Sequence, residues 1–559
     1  MQYKLEKLGT PCRNFMITNL IGFTDPKDGR VKVAMVSFTN YVSGSLYLVD
    51  PVENTSECYT LQCDNGSYAM YNDDNKGIVI GTCTQYGCVQ YFDLNTRSFR
   101  GEPAAINGKG EYYIYNFIAP GDGYLYSGTY PGCQLLRYNI AEHKLEDLGR
   151  AHPNPKNLYS RSGLTKDGYI FLHCSRGESC YRAYSLADGT FVNASDLGYD
   201  DAALEEEANW HDPRWDDCKK EVQGISRGCN LPDGSLILIR GQDYLYLAGD
   251  SKEFVCRPIP GTPPATAILT VGASQDGKIW CASNFGMTVC SYDPATNEAV
   301  NYPPVSPRGG GQIYGVVEKN QKLYFTTYGD GYHIEFDPAK PWDAVNYVNP
   351  KQLAAEAPTC TRPHSRSYIG PDGCIWTGWY GEYGTYSGAL SKIETETGKV
   401  TVYPTGDRGI VWIATDDKYV YYVTNGKGNG MVKADGPFKL AAVNTDGTEA
   451  YSVLLDKEIY PVFLMVNGDD LIVGASDGCY IYKKDTLAFV RKADLPSSEC
   501  IVPYDGKLIA FCGKTAYAID PTTYAAEVIG EADEECRTAV VSNGAVYFAS
   551  GIELWKLSK

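Results

Sequence analysis

Residues 313–338 read IYGVVEKNQKLYFTTYGDGYHIEFDP. An apolar run, a polar turn, a Tyr-rich run, a turn of small residues and a third run closing on Asp337-Pro338 follow in order. Residues 267–294 and 500–521 repeat the phrase, and about a dozen copies run along the chain. A repeat of about 40–45 residues carrying three or four short strands is how a β-propeller is written in sequence. The fold class read from this phrase is all-β.

Twelve such units can be counted. Their third strands fall near Leu46, Val89, Leu135, Tyr181, Tyr244, Val289, Ile334, Leu390, Leu440, Tyr480, Ala516 and Leu554. Between the first two strands, Asp-Gly or Asn-Gly supplies the positive φ of a hairpin turn. Clear copies are Asp122-Gly123, Asp167-Gly168, Asp233-Gly234, Asp276-Gly277, Asp372-Gly373, Asp505-Gly506 and Asn543-Gly544. A second tight turn carries Asp293-Pro294 or Asp520-Pro521, where proline presets φ.

The last unit stops after its third strand, residues 552–557. Residues 4–9 read KLEKLG and match KLEDLG at 144–149, an expected outer strand. The first residues are therefore expected to supply the missing strand, which closes a ring and removes two open edges. A single twelve-bladed ring would leave a very wide channel, since propellers typically have about four to eight blades. Two propellers are expected, with approximate bounds 1–305 and 306–559. The alternative is a discontinuous ring, closed by residues 2–9 with 545–557 and holding the other ring within it. Two stretches break the rhythm: an acidic insertion at 196–222 with a helix expected over Ala202–Ala208, and residues 339–358 with a helical turn expected over Gln352–Ala357.

Glycine (58) and tyrosine (45) are abundant among the 559 residues, and the formal charge is −18. A duplex-binding surface needs clustered Lys and Arg, so nucleic acid is excluded as a general partner. No run approaches the length of a membrane span, and residues 1–24 carry no apolar leader core. The expectation is a cytoplasmic protein without a membrane partner. The 19 cysteines include no Cys-x-x-Cys pair; the close spacings are Cys58/Cys63, Cys83/Cys88 and Cys174/Cys180. Many lie in strand-like runs, as buried reduced thiols do.

The repeats give a common register. Six residues before the Asp or Asn of the hairpin turn stand Arg161, Arg227, Arg366 and Arg537, while other units place Asn116, Thr270, Tyr314 and Glu499 there. The first three arginines follow a serine. Arginines at the mouth of a channel fit a carboxylate, sulfate or phosphate, because the guanidinium fork matches those groups. The competing reading is a structural lining that bonds neighbouring carbonyls.

The densest constellation is TRPHSRSY at 361–368, with Arg362, His364 and Arg366 at alternate positions. In a strand these share one face. A histidine between two guanidiniums is pushed toward its neutral form, which suits a general base. The preceding unit adds Arg308, Gln312, Tyr314 and Tyr328, beside the flexible run Gly309-Gly310-Gly311. Trp379 and Tyr380 belong to an aromatic segment from Trp376 to Tyr386, expected as a long turn whose rings stack on sugars. No metal motif, P-loop or dinucleotide fingerprint occurs, so neither a metal nor a cofactor is expected. The Gly-x-Ser-x-Gly matches at 224–228 and 474–478 lack the following helix of a nucleophile elbow.

Residues 128–149 and 323–390 resemble bacterial propeller proteins of the WD40- or Kelch-like kind. In the second stretch the pattern runs through Phe336-Asp337-Pro338, Asn349-Pro350, Arg362-Pro363 and Gly370-Pro371-Asp372-Gly373 to Gly388-Ala389-Leu390. The chain is more loosely similar to the propeller polysaccharide lyases, which use Tyr, His and Arg in a channel mouth. That resemblance implies a carbohydrate-active protein working on an acidic oligosaccharide or another small anionic ligand by β-elimination. Neither resemblance transfers a catalytic residue; by their own chemistry His364, Tyr328 and Arg366 are the catalytic candidates, with Arg362, Arg308, Gln312, Tyr314, Arg161, Arg227, Trp379 and Tyr380 as substrate-binding candidates. The alternative is a non-catalytic scaffold that binds a glycan or a protein.

Overall fold

The computed structural model of the chain describes residues 3–106, 111, 113–307, 309–329, 331–355, 360–406 and 408–559, apart from the side chains of residues 162, 354 and 355. The chain is a β-propeller protein. Among the described residues the strands form twelve antiparallel fours, and all twelve expected third strands are present. Second strands such as Leu236–Arg240, Ile279–Ser283, Ile375–Tyr380 and Ala545–Ser550 are buried along their whole length. Outer strands such as Glu298–Tyr302 and Phe489–Ala493 are mostly exposed. Apolar runs therefore mark strands sandwiched on both faces, and charge-rich runs mark the rim.

The chain divides into two compact units, residues 15–264 and residues 1–14 with 265–559. The first holds the fours at 17–60, 66–99, 113–150, 159–193 and 225–258. Two of these join in one eight-stranded sheet through a parallel bridge between Tyr115 and Tyr68. The second unit holds the fours at 268–302, 312–355, 367–406, 410–454, 461–493 and 500–531, and a seventh made of 539–558 with Lys4–Gly9. In that seventh sheet Lys4 pairs with Ser558, Leu5 with Leu557 and Lys7 with Trp555. Neither junction coincides with the expected boundary at 305, because that position is only a link between two blades of the second unit.

The turns divide into two kinds. Asp167-Gly168, Asp505-Gly506 and Asn543-Gly544 have positive φ at both residues, while Asp122, Asp233, Asp276 and Asp372 leave it to the following glycine alone. In the second kind the aspartate acts through its side chain: Asp122 Oδ1 accepts the Tyr124 N–H at 3.0 Å. The insertion carries α1 (Asp201–Ala208), capped by Asp200, and an unexpected α2 (Pro213–Glu221), capped by Asp212 with proline in its first turn. The helical turn expected over Gln352–Ala357 is corrected. Lys351–Ala355 is an outer strand paired with Tyr332–Phe336, and residues 356 and 357 lie outside the described residues. Pairing with a preformed edge overrides the helical preference of Gln-Leu-Ala-Ala.

Within the unit 15–264, Asp25 ties neighbouring blades. Solvent reaches none of its side chain; Lys32 Nζ donates to its Oδ2 at 2.6 Å, and Arg97 from the next blade donates to the same oxygen. Arg97 Nε also donates to Glu57 at 3.1 Å. Burial alone would raise the Asp25 carboxyl, but the hydrogen bonds from Arg97 and Lys32 outweigh it and hold the group below its usual value. A depressed carboxylate adds stability at neutral pH that is lost as pH falls below about 4. Asp25→Asn removes the buried anion that Lys32 and Arg97 share, leaving them only the exposed carboxylates of Asp28 and Glu57, and is expected to cost about 2–3 kcal/mol in chemical denaturation at pH 7. It should also flatten the acid side of the stability curve.

Candidate functional site

The first strands of all seven blades of the unit 1–14 with 265–559 meet at one cavity of about 150 Å³. Thr270, Tyr314, Tyr368, Trp412, Phe463, Cys500 and Ala539 each represent one strand. Glu499, Arg366 and Arg537 complete its polar wall. Thr270, Tyr314, Arg366, Glu499 and Arg537 all hold the six-residue register position, so the repeat register marks residues that face the channel.

The segment 361–366 is irregular rather than a strand. Arg362 bridges to Tyr380, and regular pairing resumes only at Ser367–Ile369. Ser365 fills the gap: its Oγ accepts the Gly378 N–H at 2.6 Å and donates to the Gly378 carbonyl at 3.0 Å. The serine of this Ser-Arg pair is thus a backbone brace. Arg366 follows with φ 68°, a left-handed conformation uncommon for any residue but glycine. Strand alternation does not gather Arg362, His364 and Arg366; the kink does. Each stands over the ring of Tyr314, at 5.9, 5.7 and 5.7 Å respectively. Gly315 allows this approach, since a Cβ there would lie 2.4 Å from Ser367 Oγ.

Arg366 Nη1 donates to Thr270 Oγ1 at 2.5 Å and to the Tyr314 carbonyl at 3.1 Å. Arg362 Nη2 donates to Gln312 Oε1 at 3.2 Å, and the Tyr314 hydroxyl donates to the same oxygen at 3.0 Å. Gln312 therefore aims Arg362. Arg362 also lies 4.1 Å from the Tyr328 ring, and its Nε is buried without a hydrogen-bond partner among the described residues. Neither guanidinium forms an ion pair among the described residues; Glu499 instead faces Arg537 at 3.8 Å. Burial pulls the Arg366 guanidinium below its usual value, yet it remains charged.

His364 stacks on Tyr380 at 5.1 Å, and its Nδ1 is buried without a hydrogen-bond partner among the described residues. Burial first, then the charges of Lys427, Arg362 and Arg366, hold this imidazole well below its usual value, against a backbone contact with Val411. It is neutral at pH 7. Lys427 was not foreseen from the sequence. It opens to solvent on the Gly-rich turn 425–430, but is ringed by protein, so desolvation and then Arg362 pull its ammonium below the usual value. The clue available was the turn itself: it follows the second strand of its blade, as residues 381–387 do in the blade before.

Beside Arg362 lies a second cavity of about 350 Å³, lined by Tyr328, Thr361, Tyr383, Asn429 and glycines 310, 311 and 329. Arg308 lies outside the described residues. Trp379 and Tyr380 are corrected as sugar platforms: they belong to the strand Ile375–Tyr380 and are fully buried. Trp379 Nε1 donates to Ser391 Oγ at 2.8 Å, and the Tyr380 hydroxyl donates to Asn425 Oδ1 at 3.1 Å. Gly378 made the segment look like a turn, but it seats the strand against Ile410 of the next blade, 2.4 Å from where a Cβ would stand. Arg161 and Arg227 do not join the cluster. They hold the same register on blades of the unit 15–264, because register encodes a place within a blade and not the ring to which the blade belongs.

Cys63, Asp64 and Cys88 are the group of potential metal ligands found among the described residues. Asp64 is occupied as a loop cap, accepting the N–H groups of Gln85, Tyr86 and Gly87 at 2.8, 2.8 and 3.0 Å. No helix among the described residues is long and apolar enough to cross a membrane.

No family model matches the chain, and no curated protein matches it. Among solved structures, it is similar to a catalytically inactive variant of virginiamycin B lyase from Staphylococcus aureus with quinupristin. That match has 14% identity, covers 53% of this chain and 96% of that one, and has a TM-score of 0.41. It is also similar to the Pan2 WD40 domain of Neurospora crassa, at 10% identity over 52% of this chain and 88% of that one, with a TM-score of 0.40. A streptogramin B lyase aligns at 16% identity over 60% and 94% of the two chains, with a TM-score of 0.31. Likenesses at this level bear on neither substrate nor reaction.

Proposed function

We propose that the unit 1–14 with 265–559 binds an acidic oligosaccharide at its channel mouth and cleaves it by β-elimination. The observation that carries this reading is a pair of guanidiniums, Arg362 and Arg366, without a carboxylate partner among the described residues, on either side of a neutral histidine. Unpaired charge held away from water is costly, and a ligand carboxylate relieves it. Neutralising a uronate carboxylate also makes the neighbouring C5 proton more acidic. His364 takes that proton, the electron pair forms the C4–C5 double bond, and the O4 bond breaks with a proton supplied by the Tyr328 hydroxyl.

The test is a panel of uronate polysaccharides followed by the ultraviolet absorbance of the unsaturated product. A rise that disappears in Arg366→Ala supports the reading. Binding that depends on Arg366 without any product leaves a glycan-binding module in place of an enzyme. The pH profile gives a second check. Only the neutral imidazole accepts a proton, so a depressed pKa keeps His364 active on the acid side. The rate is expected to stay level as pH falls through about 6.5; an acid limb centred at or above that value contradicts the assignment of His364 as base.

A further inference from the structure

The unit 15–264 carries its own donor-rich cluster on its first strands. Tyr68, Tyr115, Arg161 and Arg227 stand on the first strands of four successive blades. The Arg227 guanidinium lies 5.5 Å from the Tyr68 ring, and Arg161 lies 5.4 Å from Tyr115. Tyr68 and Tyr115 are 5.9 Å apart, so the two arginines flank one aromatic pair. Neither guanidinium makes a hydrogen bond or an ion pair to protein among the described residues, and the Tyr68 hydroxyl makes no hydrogen bond among them; Arg161 is exposed, while Arg227 and Tyr68 are half-buried. The acid that senses Arg161, Glu205 on α1, is held instead by Tyr181 at 2.6 Å and Asn209 at 2.7 Å.

The aromatic faces satisfy part of this need. A guanidinium over a ring at such distances gains about 0.5–1 kcal/mol, but its five N–H groups have no protein acceptor among the described residues, and those of the exposed Arg161 are left to water. The tyrosine adds another donor: burial, with Cys83, pushes the Tyr68 hydroxyl up to about 12, so it keeps its proton at neutral pH. Two positive forks and one O–H, with no protein acceptor opposite them among the described residues, are the complement of a group that carries several lone pairs and negative charge.

We propose that this cluster of the unit 15–264 is an oxyanion-binding site, in which Arg161, Arg227 and Tyr68 donate to a carboxylate, sulfate or phosphate group. This site is separate from the His364 site and does not depend on its chemistry. The test uses the full chain carrying Arg362→Ala and Arg366→Ala, titrated calorimetrically at low ionic strength with glucuronate, inorganic sulfate and inorganic phosphate. At least one probe is expected to bind with one-to-one stoichiometry, and the probe that binds identifies the group. Arg227→Gln and Arg161→Gln should each weaken it about tenfold or more, the loss of a charge-assisted pair. Tyr68→Phe, the mildest change, should weaken it several-fold and covers the case in which an arginine variant fails to fold. Absence of binding by all three probes, or affinity unchanged in whichever of these variants fold, overturns the proposal.

Discussion

Turnover of the cleaved glycan is expected to fall by about 10²–10⁴-fold in His364→Gln, while affinity for the intact glycan changes little. The asymmetry follows from the division of labour at the mouth. Arg362 and Arg366 reach their partners, Gln312, Thr270 and the Tyr314 carbonyl, without using the imidazole. Glutamine preserves a flat polar group against Tyr380 and Tyr314 but cannot accept the C5 proton. Arg366→Ala should show the opposite pattern, with binding lost first, because it removes the charge that meets the carboxylate. Product formation measured by ultraviolet absorbance, beside calorimetric binding, separates the two. Equal losses of binding and turnover in His364→Gln would make the histidine a structural member of the channel.

Deleting residues 3–9 is expected to destabilise the unit they close by about 5 kcal/mol or more, a large share of a typical domain's stability. Lys4–Gly9 is the outer strand of the seventh sheet, paired along its length with Glu553–Ser558. Leu5 packs on the core that contains Phe548, Trp555 and Leu557. Lys7 bridges Asp533 and Glu553 at 2.7 and 2.6 Å. Removing Leu5 from that core forfeits about 2 kcal/mol, each lost backbone hydrogen bond about 1 kcal/mol, and the bared edge invites pairing between molecules. Chemical denaturation with light scattering reads both effects. An unchanged midpoint without aggregation would show that the last sheet is stable with three strands. Leu5→Asp should reproduce part of the loss with the strand still present.

The blades were legible because each repeats the same short problem: a buried central strand, a tight turn that needs glycine or aspartate, and a charged outer strand. That is why all twelve third strands could be placed from pattern alone. The register within a blade was legible for the same reason, and it led to Thr270, Tyr314, Arg366, Glu499 and Arg537 around one cavity. Ring membership was not legible, since Arg161 and Arg366 sit in equivalent blade positions but in different units. Local geometry also escaped the pattern. Ser365 replaces ladder bonds, so Arg362 and Arg366 converge through a kink that no period of two describes. Trp379 and Tyr380 look like an exposed glycine-rich turn because the close packing of Gly378 on Ile410 depends on the next blade. Lys427 gains its meaning from neighbours more than sixty residues away, Arg362 and His364.

The most direct measurement is a crystal structure of His364→Gln with an uncleaved uronate oligosaccharide. The expected result is a uronate carboxylate within hydrogen-bonding distance of Arg362 or Arg366, with its C5 facing residue 364 and its O4 toward Tyr328. A glycan bound elsewhere, or no bound glycan with Arg362 and Arg366 met by protein carboxylates, would contradict the account.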